Sequence, residues 1–496
     1  MSRDERVLLA FLVKLEKMAN QVGVKRLFAD GLEGYLDLQE SVFNLQLELQ
    51  RAIGEAKRRG KKDADSLGYL KQLRWLRWQS RRLGDAIAWC GLLLNRQVIY
   101  ALAKNEPVPV PSSWSDGHRG AFQFAREMTS SEWGIPIVHD VTSALRVGDV
   151  TFMRPSGRDA EADYRTVEIK TTRLGESVNE EGESLLKLNV TAIGNEPFPS
   201  LATVPTPSEA ERNSQPARRH RADRRIERQL ARMDIATASK NAPLHKSTKI
   251  GDRHVFSLAL TDEEEPHWKE LRRAIRDARR EGYAYFELGG FVGYSVIYDS
   301  AGVSTENIQS ASLIESVTGL VHEQIGDRNS ITVSSIPDDD QDTYTSKVLP
   351  FYLWEVPQRA IRDILRHRLV IVATYNSGWM EKLLTDAGLT VTSDKASRDH
   401  RNFEVIANLE WEGEAQVEYH SHVWEEMVVA VHEFRGPKAV IQRALAPAEA
   451  PGLVALNEFI PAEALKDGQR QAPGDVKASK QHGARRRAVE RMPRWA

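Results

Sequence analysis

Three residues in this 496-residue chain have the types and spacing that metal-assisted phosphodiester chemistry uses. Positions 146–173 read RVGDVTFMRPSGRDAEADYRTVEIKTTR, with Asp149 in one apolar run and Glu168 and Lys170 in the next. In a strand, residues i and i+2 share a face, so Glu168 and Lys170 project together while Val167 and Ile169 turn into packing. Hydrolysis of a phosphodiester is assisted by a hard cation bound through carboxylates, phosphate oxygen and water, which lowers the pKa of the attacking water. Asp149 and Glu168 are the candidate metal ligands for Mg²⁺, with Mn²⁺ as its substitute. Lys170 would place an ammonium where negative charge grows on the phosphorus oxygens. Unless burial lowers its pKa substantially, that role suits it better than proton abstraction.

The spacing Glu/Asp-x-Lys is common. It recurs as Glu55-Ala56-Lys57 in a charged helical stretch and as Asp475-Val476-Lys477 in a polar tail. Only the copy at 168–170 has an apolar centre, β-branched flanks and an acid in the preceding run. An edge strand with solvated Glu and Lys alternating against core Val and Ile would give the same string. A second cluster, His420, His422, Glu425, Glu426, His432 and Glu433, offers His-x-His on one strand face for a transition metal. Polar and apolar alternation along an exposed strand is the simpler account of it. No phosphate-cradling glycine loop, G-x-S-x-G elbow or H-E-x-x-H motif occurs.

The elements that must position the first cluster follow from pattern. A helix is expected over 117–130, followed by strands over 135–140, 144–153 and 165–172. Upstream, residues 5–104 carry helical periodicity and read as a helical hairpin or small bundle. Its last helix, 70–94, bears Trp75, Trp78 and Trp89 together with Arg74, Arg77, Arg81 and Arg82, which we read as a core stripe with a solvated face. Asp85 is placed to partner Arg81 or Arg82, and Asp140 to contribute a turn.

Helix, strands with an acid, then V-E-I-K and a further helix is similar to the core of PD-(D/E)XK nucleases, the restriction-endonuclease-like superfamily. HDVTSALRVGDVTFM followed by VEIKTT resembles uncharacterised bacterial members. The resemblance covers roughly 117–240, and Gly148 stands where the family has Pro before the first acid. It implies a mixed sheet flanked by helices, an (endo)nuclease acting on DNA, and a part in antiphage defence or restriction. Many members add an acid from the preceding helix, for which Glu127 is the candidate. Some place a glutamine in the helix after the E-x-K strand, a position that Gln229 resembles.

That following helix, 221–234, reads RADRRIERQLARMD. At ~100° per residue, Ala222, Ile226, Leu230 and Met233 form an apolar stripe, and Arg221, Arg224, Arg225, Arg228 and Arg232 lie opposite. Guanidinium forks match phosphate oxygens, so this face suits a nucleic-acid backbone; pairing with acids of another domain is the alternative.

The fold class expected is α/β (α+β), in four parts: a helical region over 1–106, a nuclease-like domain over 107–300 with a flexible insertion near 196–216, a C-terminal α/β domain over 301–466, and a disordered basic tail over 467–496. One cysteine, Cys90, excludes an internal disulfide and a thiolate zinc cluster. No apolar run reaches the roughly 20 residues of a membrane span, and the N-terminus lacks a signal-peptide pattern, so a cytoplasmic location is expected. The net charge of -2 neither requires nor excludes a nucleic-acid partner. Two breaks in a duplex would call for a homodimer. The competing reading is a non-catalytic nucleic-acid- or protein-binding protein that keeps a nuclease-like fold, with the N-terminal helices and the C-terminal region doing the binding.

Overall fold

The computed structural model describes residues 2–23, 28, 31–59, 64–103, 113–129, 133–154, 162–178, 184–193, 247–250, 253–256, 264–303, 331–336, 348–387, 391–393, 403–411, 415–449 and 453–455. The class is mixed α/β, and the chain divides into two compact units, Met1–Ser257 with Asp340–Trp354 and Leu258–Asp339 with Glu355–Ala496.

The first unit begins with helices α1 (Arg3–Ala19), α2 (Gly31–Arg59), α3 (Ala64–Gly91), α4 (Arg96–Leu102) and α5 (Asp116–Thr129). Ser2 starts α1 with a capping box, its hydroxyl accepting from Glu5 N while the Glu5 side chain accepts from Ser2 N. After α5 the strands β1 (Ile135–Val138), β2 (Val150–Arg154), β3 (Asp163–Val178) and β4 (Ser184–Ile193) form one sheet in chain order. A separate hairpin joins β5 (Ser247–Ile250) and β6 (Arg253–Phe256).

Helix, strand, strand, strand is the order expected, but the sheet is antiparallel at every pairing described rather than mixed. Consecutive strands joined by short connections must run in opposite directions, and a parallel partner needs a crossover of a dozen or more residues. The candidate crossover segment, with Arg221, Arg224, Arg225, Arg228, Gln229 and Arg232, lies outside the described residues, as do the insertion near 196–216 and the tail from 467.

α5 covers one face of this sheet. Phe124 meets Phe152 with ring centroids 5.9 Å apart, and α5 comes so close to β3 that a Cβ on Gly120 would lie 2.0 Å from Thr171 Oγ1. α2 runs along the open edge of β1, where the Gln39 amide stands in for a strand. Its Nε2 donates to Pro136 O at 3.0 Å and its Oε1 accepts from Val138 N at 2.9 Å. Edge groups left unpaired in a buried place would be costly, and one glutamine settles two of them.

The 1–106 region is therefore not a separate domain. Its polar side chains pair with the main chain around the β1–β2 connection, which merges helices and sheet into one unit. The solvated arginine face expected on α3 is also corrected. Arg74 is exposed, but Arg81 and Arg82 are buried and hydrogen-bonded, while Trp78 and Trp89 belong to the core as expected.

The second unit holds α6 (Trp268–Glu281), β7 (Tyr283–Leu288), β8 (Val292–Tyr298), β9 (Ile331–Ile336), α7 (Gln358–Leu365), β10 (Leu369–Asn376), α8 (Ser377–Asp386), β11 (Val391–Ser393), β12 (Phe403–Trp411), β13 (Ala415–His422), α9 (Val423–His432), α10 (Pro437–Glu449) and β14 (Leu453–Ala455). Its main sheet has the order β7-β8-β10-β9. The boundary expected at 300 moves back to 258 because β8 pairs along its whole length with β10, seventy residues later, and not with the first sheet. Tyr294 stacks on Phe286 and meets Phe434 at a tilt, with the Tyr294 hydroxyl donating to Val431 O at 2.8 Å.

The histidine-rich string is not one strand. β13 ends at His422 and a helix follows, in which Glu426 pairs with Arg443; beyond it Glu433 is buried against Arg435. Among the described residues no group of three or more His, Cys, Asp or Glu is placed to hold a metal ion, and no helix is long and apolar enough to cross a membrane.

Candidate active site

Asp149 is placed by the glycine before it. Gly148 has φ of 77°, and a Cβ there would lie 2.6 Å from Thr166 Cγ2 and 2.9 Å from Val167 O. A proline, whose ring holds φ near about -65°, could not enter this turn. With the chain turned in this way, Asp149 N donates to Val167 O at 2.7 Å, and Asp149 Oδ2 accepts from Ile169 N at 2.6 Å. The two bonds clamp β3 on either side of Glu168, the carboxylate taking the N–H that β2 is too short to reach.

Glu168 is 5% exposed, and Lys170 Nζ donates to its Oε1 at 2.5 Å. The side chain of Lys170 is itself 39% exposed, so solvent reaches the lysine while the carboxylate it binds is buried. Burial pushes the Asp149 carboxyl up to about 7; the charge of Glu168 and, less, of Asp140 acts in the same direction, against the Ile169 N–H and Lys170. A divalent cation would relieve that repulsion, and two carboxylates completed by water and phosphate oxygens form a donor set suited to Mg²⁺ or Mn²⁺.

His139 went unnoticed in the sequence, and it holds the turn in place. It is buried, and its main-chain N donates to Asp149 O at 2.9 Å. Its Nδ1 lies 3.1 Å from Gly148 O, and since a carbonyl only accepts, Nδ1 carries the proton. Nε2 then accepts from Thr151 Oγ1 at 2.9 Å, and Thr151 accepts in turn from Thr166 Oγ1 at 2.8 Å. One lone histidine without a partner at metal spacing gave no signal in the string VHDVTSAL.

The helical layer fixes the rest of the β1–β2 connection. Fully buried Asp85 accepts from Ser143 N at 2.6 Å, from Ala144 N at 2.8 Å and from Ser143 Oγ, with Arg82 Nη1 3.5 Å away. Gln46 Nε2 donates to Val141 O at 2.8 Å, while Arg81 donates to Asp140 O at 2.9 Å and to Thr142 O. Asp140 itself sits in a 3-10 turn, His139–Val141, where its carboxylate is 3.6 Å from His118 Nε2.

Comparison with protein-family models, with curated proteins and with solved structures gave no match.

Glu127 is not brought to the cluster. α5 lies on the face of β3 that carries Thr171, and strand alternation sends Glu168 and Lys170 to the opposite face. The Glu127 side chain is exposed and accepts from Gln123 Nε2 at 2.8 Å. Asp149, Glu168 and Lys170 thus lie together at β3, and Glu127 lies apart from them.

Gly148→Ala should show how far the site depends on this turn. A side chain at positive φ with contacts under 3 Å is expected to cost roughly 1–3 kcal/mol and to displace Asp149. Urea titration would measure the loss, and an unchanged midpoint would show that the turn relaxes freely.

Proposed function

We propose that the protein is a metal-dependent nuclease that hydrolyses phosphodiester bonds, with DNA as the substrate to test first. The observation that carries this reading is the clamp of Asp149 around β3 beside buried Glu168 and its partner, the half-exposed Lys170. Asp149 and Glu168 would hold Mg²⁺ or Mn²⁺, and Lys170 would neutralise charge developing on the phosphoryl oxygens. When bound, the cation supplies Lewis-acid polarisation of the phosphate and a lowered pKa for the attacking water. The Ile169 N–H orients the Asp149 carboxylate, and the His139–Thr151–Thr166 chain holds the turn that presents it.

A second reading has an observation of its own. The Asp149–Ile169 bond closes the free edge of β3, a purely structural service that a non-catalytic binding protein would also need. Purified full-length protein incubated with plasmid, single-stranded DNA and RNA, with Mg²⁺, Mn²⁺ or EDTA, separates the two. Nuclease action requires strand scission that depends on the cation and stops in EDTA. Intact substrates under all cation conditions would leave the structural reading.

A further inference from the structure

The second unit carries a basic ridge that has no part in the site above. α6 reads WKELRRAIRDARRE, and its buried residues, Trp268, Leu271, Ala274, Ile275 and Ala278, all belong to one face. Lys269, Arg273, Arg276 and Arg280 follow the spacing i, i+4, i+7, i+11. At ~100° per residue they fall within roughly 80° of one another on the opposite face. All four are exposed, with the side chains of Arg273 and Arg280 at 79% and 70%. At ~1.5 Å per residue the ridge is roughly 16 Å long, with a cation at almost every turn.

Acids line one flank only. Asp277 lies 3.8 Å from Arg273 and 3.6 Å from Arg280, and Glu281 lies 2.7 Å from Arg280. Ion pairs this exposed are weak in water, so a phosphate can replace them. Among the described residues Lys269 and Arg276 have no carboxylate within ion-pair distance.

We infer that the ridge Lys269–Arg273–Arg276–Arg280 is a contact surface for the phosphate backbone of a nucleic acid. A narrow line of cations beside a line of acids suits a linear polyanion. A flat anionic membrane would meet Glu270, Asp277 and Glu281 as well, and α6 keeps its apolar residues inward, where none can enter a lipid layer. Three of the four cations are arginine, whose fork binds phosphate oxygens in pairs. The choice of nucleic acid as the polyanion rests on the nuclease reading.

The test is binding of the full-length protein to a labelled duplex in EDTA, where cleavage cannot occur, across a salt series. Each phosphate contact contributes about 0.9 to the slope of log K against log salt. The triple variant Arg273→Ala, Arg276→Ala, Arg280→Ala is expected to flatten that slope by about 2 to 3, with an unchanged melting temperature because the buried face is untouched. A slope equal to that of the unsubstituted protein, or absence of duplex binding by either protein, overturns the assignment. So does a loss confined to phosphatidylserine vesicles, which would make the ridge a membrane contact. Cleavage in Mg²⁺ with an unaltered slope would leave the nuclease reading standing without this surface. A flattened slope in a protein that cleaves nothing would leave the surface without the nuclease.

Discussion

Lys170→Ala is expected to lower Mg²⁺-dependent strand scission by a factor of about 10² to 10³, the usual effect of removing one group that stabilises charge in the transition state. Asp149→Ala should lower it at least as far, since it removes a proposed metal ligand together with the acceptor of the Ile169 N–H. The two variants should differ in stability. Lys170 is the 2.5 Å partner of a buried carboxylate, and withdrawing it should cost on the order of 1–3 kcal/mol. Cleavage must therefore be compared at a temperature where circular dichroism shows each variant folded. A folded Lys170→Ala protein that cuts at the unsubstituted rate would remove Lys170 from the chemistry.

Asp149→Asn should separate the charge of this residue from its hydrogen bond, because the amide oxygen can still accept from Ile169 N. The carboxyl is raised to about 7 from its ordinary value of 3.8, so between those values the folded protein keeps a proton that the unfolded chain has lost. Stability then falls as pH rises through this window and levels off above the folded value. At about 1.4 kcal/mol per pH unit the full effect is at most ~4 kcal/mol, and relaxation of the site should reduce it to on the order of 2 kcal/mol. Without divalent cations, Asp149→Asn should melt higher than the unsubstituted protein at about pH 8 and level with it at about pH 4. Adding Mg²⁺ at the higher pH should raise the melting temperature of the unsubstituted protein and leave that of Asp149→Asn nearly unchanged. Equal melting at both pH values would show that Asp149 bears no buried charge. A Mg²⁺ shift that survives in Asp149→Asn would move the cation elsewhere.

Local pattern was enough to find α5, β1, β2 and β3 in their order, and to find the Glu168–Lys170 pair, because strand alternation is a property of neighbouring residues. It was also enough for the strands at 283–288 and 293–298, but not for their partner. Which strand β8 joins depends on a contact made with Leu369–Tyr375, and no period of two or 3.6 residues encodes a contact across seventy residues. Local pattern likewise took Arg81 and Arg82 for a solvated face, since a charged residue looks the same in sequence whether water or a buried carbonyl receives it.

Within the site, the sequence by itself was enough to single out Asp149 and Glu168 as candidate cation ligands and to place Glu168 and Lys170 on one strand face. Tertiary structure decided the rest. Gly148 could be read as the residue before the first acid, but only its positive φ against β3 shows why no residue with a side chain fits there. His139, Gln39, Gln46 and Asp85 do their work through main-chain groups 9 to 99 residues away, and such bonds require only that a polar side chain be buried beside an unpaired N–H or carbonyl. Glu127 shows the converse: its place before the strands matched a family pattern, and the packing of α5 on the Thr171 face put it on the other side of β3.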